Sequence, residues 1–344
     1  MGTPRLTDVA VRAGVSMKTV SNVVNGTGSA SPATRLRVQA AIEELGYRPN
    51  VTARRLATGR TGTVAVAVSS VTVPYFAEIS NLIDRAARTQ GLRVVIEQTN
   101  GERANELAIL EERERGLVDG VIFHPVALEA NDLADRQPGF PLVLLGEGPA
   151  PTTVDHVMID NVAAAREVTT HLIERGCRRI AFLGTEREAS THTTSQRFDG
   201  YKKALRAAGI RLDRRLRLSV DYYSADDGHR AVTEALDSGL TFDAIACRDD
   251  ALATGALHAL HSHGLAVPDD VAVTGWDDLI ISRHLWPPLT TVSPDKAAIV
   301  EAALRLLDDR IHGYQGPGRH EMIAAHLVDR QSTPAVRLRE EPLP

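Results

Sequence analysis

Met17, Lys18, Ser21, Asn22 and Asn25 are the first residues whose types and spacing suggest chemistry. At i, i+1, i+4, i+5 and i+8 they share one side of a helix, a face of short hydrogen-bonding groups with one thioether and one cation. Amide and ammonium groups can address base edges in a major groove, and hydroxyls can reach phosphates. A solvated face in a small bundle would carry the same pattern. A second cluster, Arg54, Arg55 and Arg60, adds cations further on. The three histidines of HALHSHG are poor metal ligands: only His258 and His261 share a helix face, no carboxylate lies beside them, and Gly264 ends the helix. GxSxG, P-loop and GxGxxG patterns are absent, so nucleophilic and nucleotide chemistry lack their usual supports. No enzyme, cofactor or metal is expected.

The elements that must position the first cluster can be read locally. Leu6, Val9, Ala10 and Ala13 fall at i, i+3, i+4 and i+7, Gly14 breaks the run, and Ser16 can cap a helix beginning at Met17. Val20, Val23 and Val24 form the apolar stripe of that helix, and the pair is a helix-turn-helix. Ser31 and Pro32 open a third helix, with Leu36, Ala40 and Leu45 expected on its inner side and Gly46 ending it. YRPNVTARRLATGRTG then offers about two turns of helix, too short to be stable without a partner.

From Thr63 onward, apolar runs alternate with amphipathic segments. TVAVAV, a helix from Pro74 to Gln90, RVVIEQ, a helix around 103 to 115, GVIFHP and PLVLLG read as the strands and helices of a parallel sheet covered on both faces. A second series follows: a helix from Asn161 to Arg175, RRIAFLG, a helix over 194 to 208, FDAIAC, a helix over 249 to 262, and VAVTGW. The expected fold class is α/β, a helix-turn-helix headpiece followed by two lobes of doubly wound parallel sheet. The cleft between their strand C-termini is the default ligand site.

Charge separates along this division. Residues 1 to 60 hold nine Lys and Arg against Asp8, Glu43 and Glu44, a balance of +6, while the remainder carries −11. A basic front on an acidic body is the footprint of a nucleic-acid-binding head. The 344 residues suggest about two or three units, and no apolar run approaches the ~20 residues of a membrane span. MGTPRLTDVA lacks the apolar core of a secretory signal, so a cytoplasmic location is expected rather than that of an exported sugar carrier. Cys177 and Cys247 have no CxxC partner and are expected as reduced, buried thiols.

TDVAVRAGVSMKTVSNVVNG, followed by SPATRLRVQAAIEELGYRPNVTARRLATGRT, closely resembles the N-terminal module of the lactose/galactose repressor family. The likeness continues through PYFAEI, RGCRRIAFLG, RFDGYKKAL, DDALATGAL, VPDDVAVTGWDD and PPLTTV. It implies a headpiece over 1–48, a hinge helix and linker over 49–61, and a two-lobed body like that of periplasmic sugar-binding proteins. One lobe takes 62–161 and 292–323, the other 162–291 and 324–340. Such proteins act as homodimers on near-palindromic double-stranded operator DNA; the absence of a C-terminal heptad pattern favours a dimer over a tetramer.

The resemblance also implies residue roles. Met17, Lys18 and Asn22 match positions that read bases, Met17 offering only apolar contact. Ser16, Thr19, Ser21, Asn25, Ser31, Thr34 and Tyr47 match phosphate-contacting positions. Ala53, Arg54, Arg55 and Leu56 carry the hinge pattern, Leu56 as a wedge between central base pairs. For the effector cleft, Tyr75 and Phe76 match an aromatic pair, Arg197 a fork donor, Tyr223 a stacking position and Asp277 a carboxylate that accepts ligand hydroxyls. Asp249 stands where the family usually has Asn, so two carboxylates are expected to face the ligand. Ser69, His124 and Glu147 match further lining positions. Thr191 replaces the second arginine of the purine-sensing branch, and Glu147 stands where Asp-Arg is usual. A neutral carbohydrate is the expected effector.

Overall fold

Leu6–Ala13 (α1), Met17–Val24 (α2) and Pro32–Leu45 (α3) build the front unit, Met1–Gly62. This is a computed structural model that describes residues 4–24, 28–47, 60–112, 117–134, 140–148, 150–186 and 191–335. Gly14, left-handed at φ 64°, closes α1, a conformation that costs a side chain with a Cβ more than it costs glycine. The Ser16 hydroxyl accepts the Thr19 amide at 3.1 Å to open α2, and Ser31 accepts the Thr34 amide at 3.2 Å to open α3. Val9, Ala10, Ala13, Val20, Val38 and Ala41 form the core of the unit, with Ile42, Leu45 and Tyr47 packed around it. The inner side of α3 is not the one expected. Leu36 and Ala40 are exposed, because the buried face follows Val38, Ala41, Ile42 and Leu45 at i, i+3, i+4 and i+7.

The second unit, Thr63–Pro344, holds two six-stranded sheets. The first consists of Thr63–Val68 (β1), Arg93–Gln98 (β2), Gly120–Phe123 (β3), Leu142–Leu145 (β4), Asp155–Ile159 (β5) and His320–Ile323 (β11). Their order is β11-β5-β4-β3-β1-β2, all parallel. The second has Ile180–Glu186 (β6), Arg217–Val220 (β7), Ala244–Cys247 (β8), Ala272–Trp276 (β9), Thr290–Pro294 (β10) and Ala325–Val328 (β12). Here the order is β12-β10-β9-β8-β6-β7, with only β12 antiparallel. Both orders reverse direction beside their first strand, which opens a crevice at the strand C-termini.

Helices cover both faces. Pro74–Thr89 (α4) and Lys296–Ile311 (α11) bury Ile79, Ile83, Ala303 and Leu306 against one side of the first sheet. Arg103–Glu112 (α5) and Ala130–Ala134 (α6) lie on the other, where Leu110 and Leu133 are buried. In the second lobe, Asn161–Glu174 (α7) and His192–Ala207 (α8) flank one face, and Ala225–Asp237 (α9) and Asp250–Ser262 (α10) the other. Strands β1, β3, β4 and β8 are near-continuous apolar runs because both their faces are covered.

The chain passes between lobes three times, at Asp160, Asp295 and Ala324. Asp160 and Asp295 cap the helices that follow by accepting the Ala163 and Ala298 amides at 2.8 and 2.9 Å. Asp295 N donates to Ala324 O at 3.1 Å, tying two crossings together. Because β10 runs to Pro294 within the second sheet, the return passage comes slightly later than residue 292. Cys177 and Cys247 are free and buried.

Candidate functional site

The crevice at the strand C-termini encloses a cavity of about 250 Å³. The first lobe delivers Ser69 from the end of β1, Tyr75 and Phe76 from the start of α4, His124 after β3 and Glu147 after β4. The second delivers Arg197 from α8, Tyr223 after β7, Asp249 at the cap of α10 and Asp277 after β9. All nine residues expected at an effector cleft therefore line one cavity.

Their own bonds divide them by what they can offer. Phe76 packs edge-on against Tyr75 and His124, with centroids 5.5 and 4.8 Å apart, leaving an apolar wall with a phenol and an imidazole in it. Burial lowers the His124 pKa, so the ring is neutral at physiological pH; its Nδ1 has no hydrogen-bond partner among the described residues. Gly146 lets that ring approach, since a Cβ there would fall 2.4 Å from His124 Nε2. Glu147 Oε2 accepts Thr193 Oγ1 at 2.8 Å, a direct bond from one lobe to the other.

Arg197 is almost fully buried. Its Nε donates to Asn161 Oδ1 at 2.7 Å, its Nη1 to the Arg248 carbonyl at 2.5 Å, and its guanidinium lies 4.0 Å over the Trp276 ring. Asp277 has φ 102°, an uncommon backbone state for a residue with a Cβ, and its carboxylate makes no hydrogen bond among the described residues. Burial pushes its pKa well above the usual carboxylate range, opposed by Arg197 and reinforced by Asp249 and Asp250. The loop carrying it is clamped by Asp250. That fully buried carboxylate accepts Leu279 N at 2.8 Å, Ser282 Oγ at 2.6 Å and Thr291 Oγ1 at 2.6 Å. Burial lifts the Asp250 pKa to about 6 despite those bonds.

Two expected roles are altered. Tyr223 is not an open stacking platform: Arg248 lies 3.5 Å over its ring, Tyr222 stacks beside it, and its hydroxyl donates to Glu186. Asp249 is not a second free carboxylate, because it accepts the Leu252 amide at 2.9 Å as a helix cap and Arg248 Nη1 at 2.8 Å. Sequence reading passed over Arg248, Glu186, Thr193 and Asn161. Among these only Arg248 had a signal, a cation set against two acids in CRDD at the end of an apolar strand.

On the front unit, Met17 is 53% exposed, and Ser16, Lys18 and Ser31 are exposed as well. Asn22 is half-buried, its amide packed against the Gly28 backbone. Ser21 and Thr34 are half-buried, and Thr19 pairs with Ser16 through their hydroxyls at 2.9 Å. Tyr47 packs on the helical core. Asn25, Ala53, Arg54, Arg55 and Leu56 lie outside the described residues.

Residues 5–50 match the family described as "Bacterial regulatory proteins, lacI family", and residues 169–333 match "Periplasmic binding protein-like domain". The HTH-type transcriptional regulator CelR of Thermobifida fusca is 36% identical over 344 residues, spanning 96% of this chain and 98% of that protein. This chain belongs to the LacI family. The HTH-type transcriptional regulator GalR of Escherichia coli (strain K12) is 34% identical, covering 88% of this chain and 89% of GalR. A solved Lac repressor dimer, bound to operator and the anti-inducer ONPF, superposes with a TM-score of 0.83 at 28% identity over 97% of this chain and all of that one. A CelR–cellobiose complex does so with 0.68 at 34% identity, over 96% and 99%. This LacI-family chain is therefore a DNA-binding transcription regulator rather than an enzyme. No helix among the described residues is long and apolar enough to cross a membrane.

Proposed function

We propose that this regulator is a repressor that binds a near-palindromic operator duplex as a homodimer in the cytoplasm, and that a carbohydrate in the cleft controls it. The observation that carries the effector reading is the composition of the cavity. An aromatic wall of Tyr75 and Phe76 faces a fixed arginine fork and the unpartnered Asp277, the mix of apolar face, donors and acceptor that a sugar ring needs. The solved CelR complex with cellobiose is in keeping with this ligand class.

Residues 1–48 serve as the DNA-binding headpiece in this reading and 49–61 as the hinge, with Met17, Lys18 and Asn22 on bases and Ser16, Thr19, Ser21, Asn25, Ser31, Thr34 and Tyr47 on phosphates. Leu56 wedges the minor groove, supported by Ala53, Arg54 and Arg55. The homodimer reading is favoured by apolar side chains on one edge strand, Val95 and Ile96 on β2, and by exposed Ile280 and Ile281 in the second lobe. The two lobes, joined by the crossings at Asp160, Asp295 and Ala324, close around the sugar. A ligand changes DNA affinity only through a preference between lobe arrangements, since equal affinity for both shifts nothing.

A thermal-shift screen of mono- and disaccharides, paired with gel shifts on inverted-repeat DNA, tests the whole reading. A sugar that raises the melting temperature and alters operator affinity is the expected result. Binding should weaken with salt by about 0.9 log units per log unit for each phosphate contact. Equal affinity for inverted repeats and scrambled DNA would refute operator recognition.

A further inference from the structure

Arg248 belongs to none of the roles above, yet its side chain is as firmly anchored in the cavity as that of Arg197. It follows β8 directly and its side chain is 13% exposed. Nε donates to Thr194 Oγ1 at 2.8 Å, Nη1 to Asp249 Oδ2 at 2.8 Å, and the guanidinium covers the Tyr223 ring at 3.5 Å. Gly184, at φ 115°, makes the room: a Cβ there would fall 2.6 Å from the Arg248 Cβ. The Arg248 carbonyl in turn holds Arg197. After these bonds each of the two guanidinium groups keeps its Nη2 without a hydrogen bond among the described residues, while both groups line the cavity.

Two further facts narrow the ligand. Among the described residues, Asp249 neutralises Arg248 and Glu147 balances Arg197, so the lining has no surplus cation for a phosphate or carboxylate. The 250 Å³ cavity also lies below the ~300–1,000 Å³ of sites for drug-sized molecules. We infer that Arg248 is a specificity-determining residue of the cleft. It occupies the face of Tyr223 on which a second ring would stack, and it joins Arg197 in donating to adjacent hydroxyls of a single neutral sugar ring. This rests on the carbohydrate reading proposed above.

Isothermal titration of the full-length protein tests it, with glucose, galactose, ribose, cellobiose, lactose, glucose 6-phosphate and hypoxanthine against wild type, Arg248→Ala and Arg248→Gln. The wild type should bind one of the monosaccharides at least tenfold tighter than either disaccharide. Arg248→Ala should lower that affinity tenfold or more and erase or invert the preference. Arg248→Gln, which keeps an amide donor over Tyr223, should fall between and serves as the readout if the alanine variant unfolds. A wild-type preference for a disaccharide, or an unchanged ratio in both variants, overturns the role of Arg248 while leaving the carbohydrate reading intact. Binding of glucose 6-phosphate or hypoxanthine and of no neutral sugar, or no binding at all, overturns both.

Discussion

Replacing Asp277 by Asn separates ligand recognition from folding more cleanly than any other change in the cleft. The carboxyl is buried and makes no hydrogen bond among the described residues, so its replacement removes an acceptor for ligand hydroxyls without breaking a side-chain hydrogen bond of the described protein. Asn is also among the few residues that tolerate positive φ. A hydrogen bond contributes about 0.5–1.5 kcal/mol, which converts to roughly 2- to 13-fold weaker sugar binding. Stability should move the other way. Burial raises the Asp277 pKa in the folded protein, so its favourable contribution is complete below the unfolded value and is lost as pH rises through the folded one. At pH 7 the Asn variant should thus be at least as stable as wild type, and the advantage should shrink as pH falls toward 4. Calorimetric titration with the best sugar, and thermal unfolding at a series of pH values, measure both. An Asn variant that melts lower than wild type at pH 7, or that binds sugar equally well, would refute the reasoning.

Asp155 is fully buried between Arg310 and Arg319, which donate to it at 2.9–3.0 Å, and these bonds overcome burial and hold its pKa at about 2. Asp155→Ala should cost about 2–3 kcal/mol in urea unfolding, because Arg310 keeps the Gly316 and Pro317 carbonyls and Arg319 keeps Asp309 once the buried carboxylate is gone. In wild type the group's contribution, present above the unfolded pKa, should be lost as pH falls from about 4 to about 2, near 2 kcal/mol by linkage; an acid limb of the melting curve without that loss would contradict it. Ser31→Ala removes the α3 cap and should cost about 1 kcal/mol, seen in the unfolding of the full-length protein, whereas an unchanged midpoint would leave Ser31 only a role on DNA. Leu56→Ala should weaken operator binding far more than random-DNA binding in competition gel shifts, and equal losses would count against a wedge.

The helix-turn-helix was legible because short helices on a small core show their period plainly, as Val9, Ala13 and Val20 do. α3 misled because Leu36 and Ala40 are apolar residues on the solvent side, and four-residue spacing alone does not tell a core face from an outer one. In the body, strands buried on both faces stood out, but β5 did not. DHVMI opens on Asp155 and His156, polar residues buried only because the Gly146 carbonyl and two arginines far away in sequence, Arg310 and Arg319, satisfy them. Strands β7, β10, β11 and β12 and helices α6, α9 and α11 also went unread; β7, β11 and β12 are short and carry exposed positions. The cleft lining came from resemblance, and it located residues better than functions. That Tyr223 is covered and Asp249 occupied depends on Arg248, whose place is set by Gly184 and Thr194 far away in sequence.

The threefold passage of the chain between lobes bears on how the protein is made. Sheet one ends at β5 near residue 159, yet the strand that completes its edge, β11, begins at His320. At ~5–20 residues per second on the ribosome, that edge waits roughly 8–30 seconds, its hydrogen-bonding groups open to other nascent chains. A stop codon introduced anywhere between the two strands should therefore yield neither lobe in working order, and the fragment should be a client of chaperones rather than a half-sized sensor.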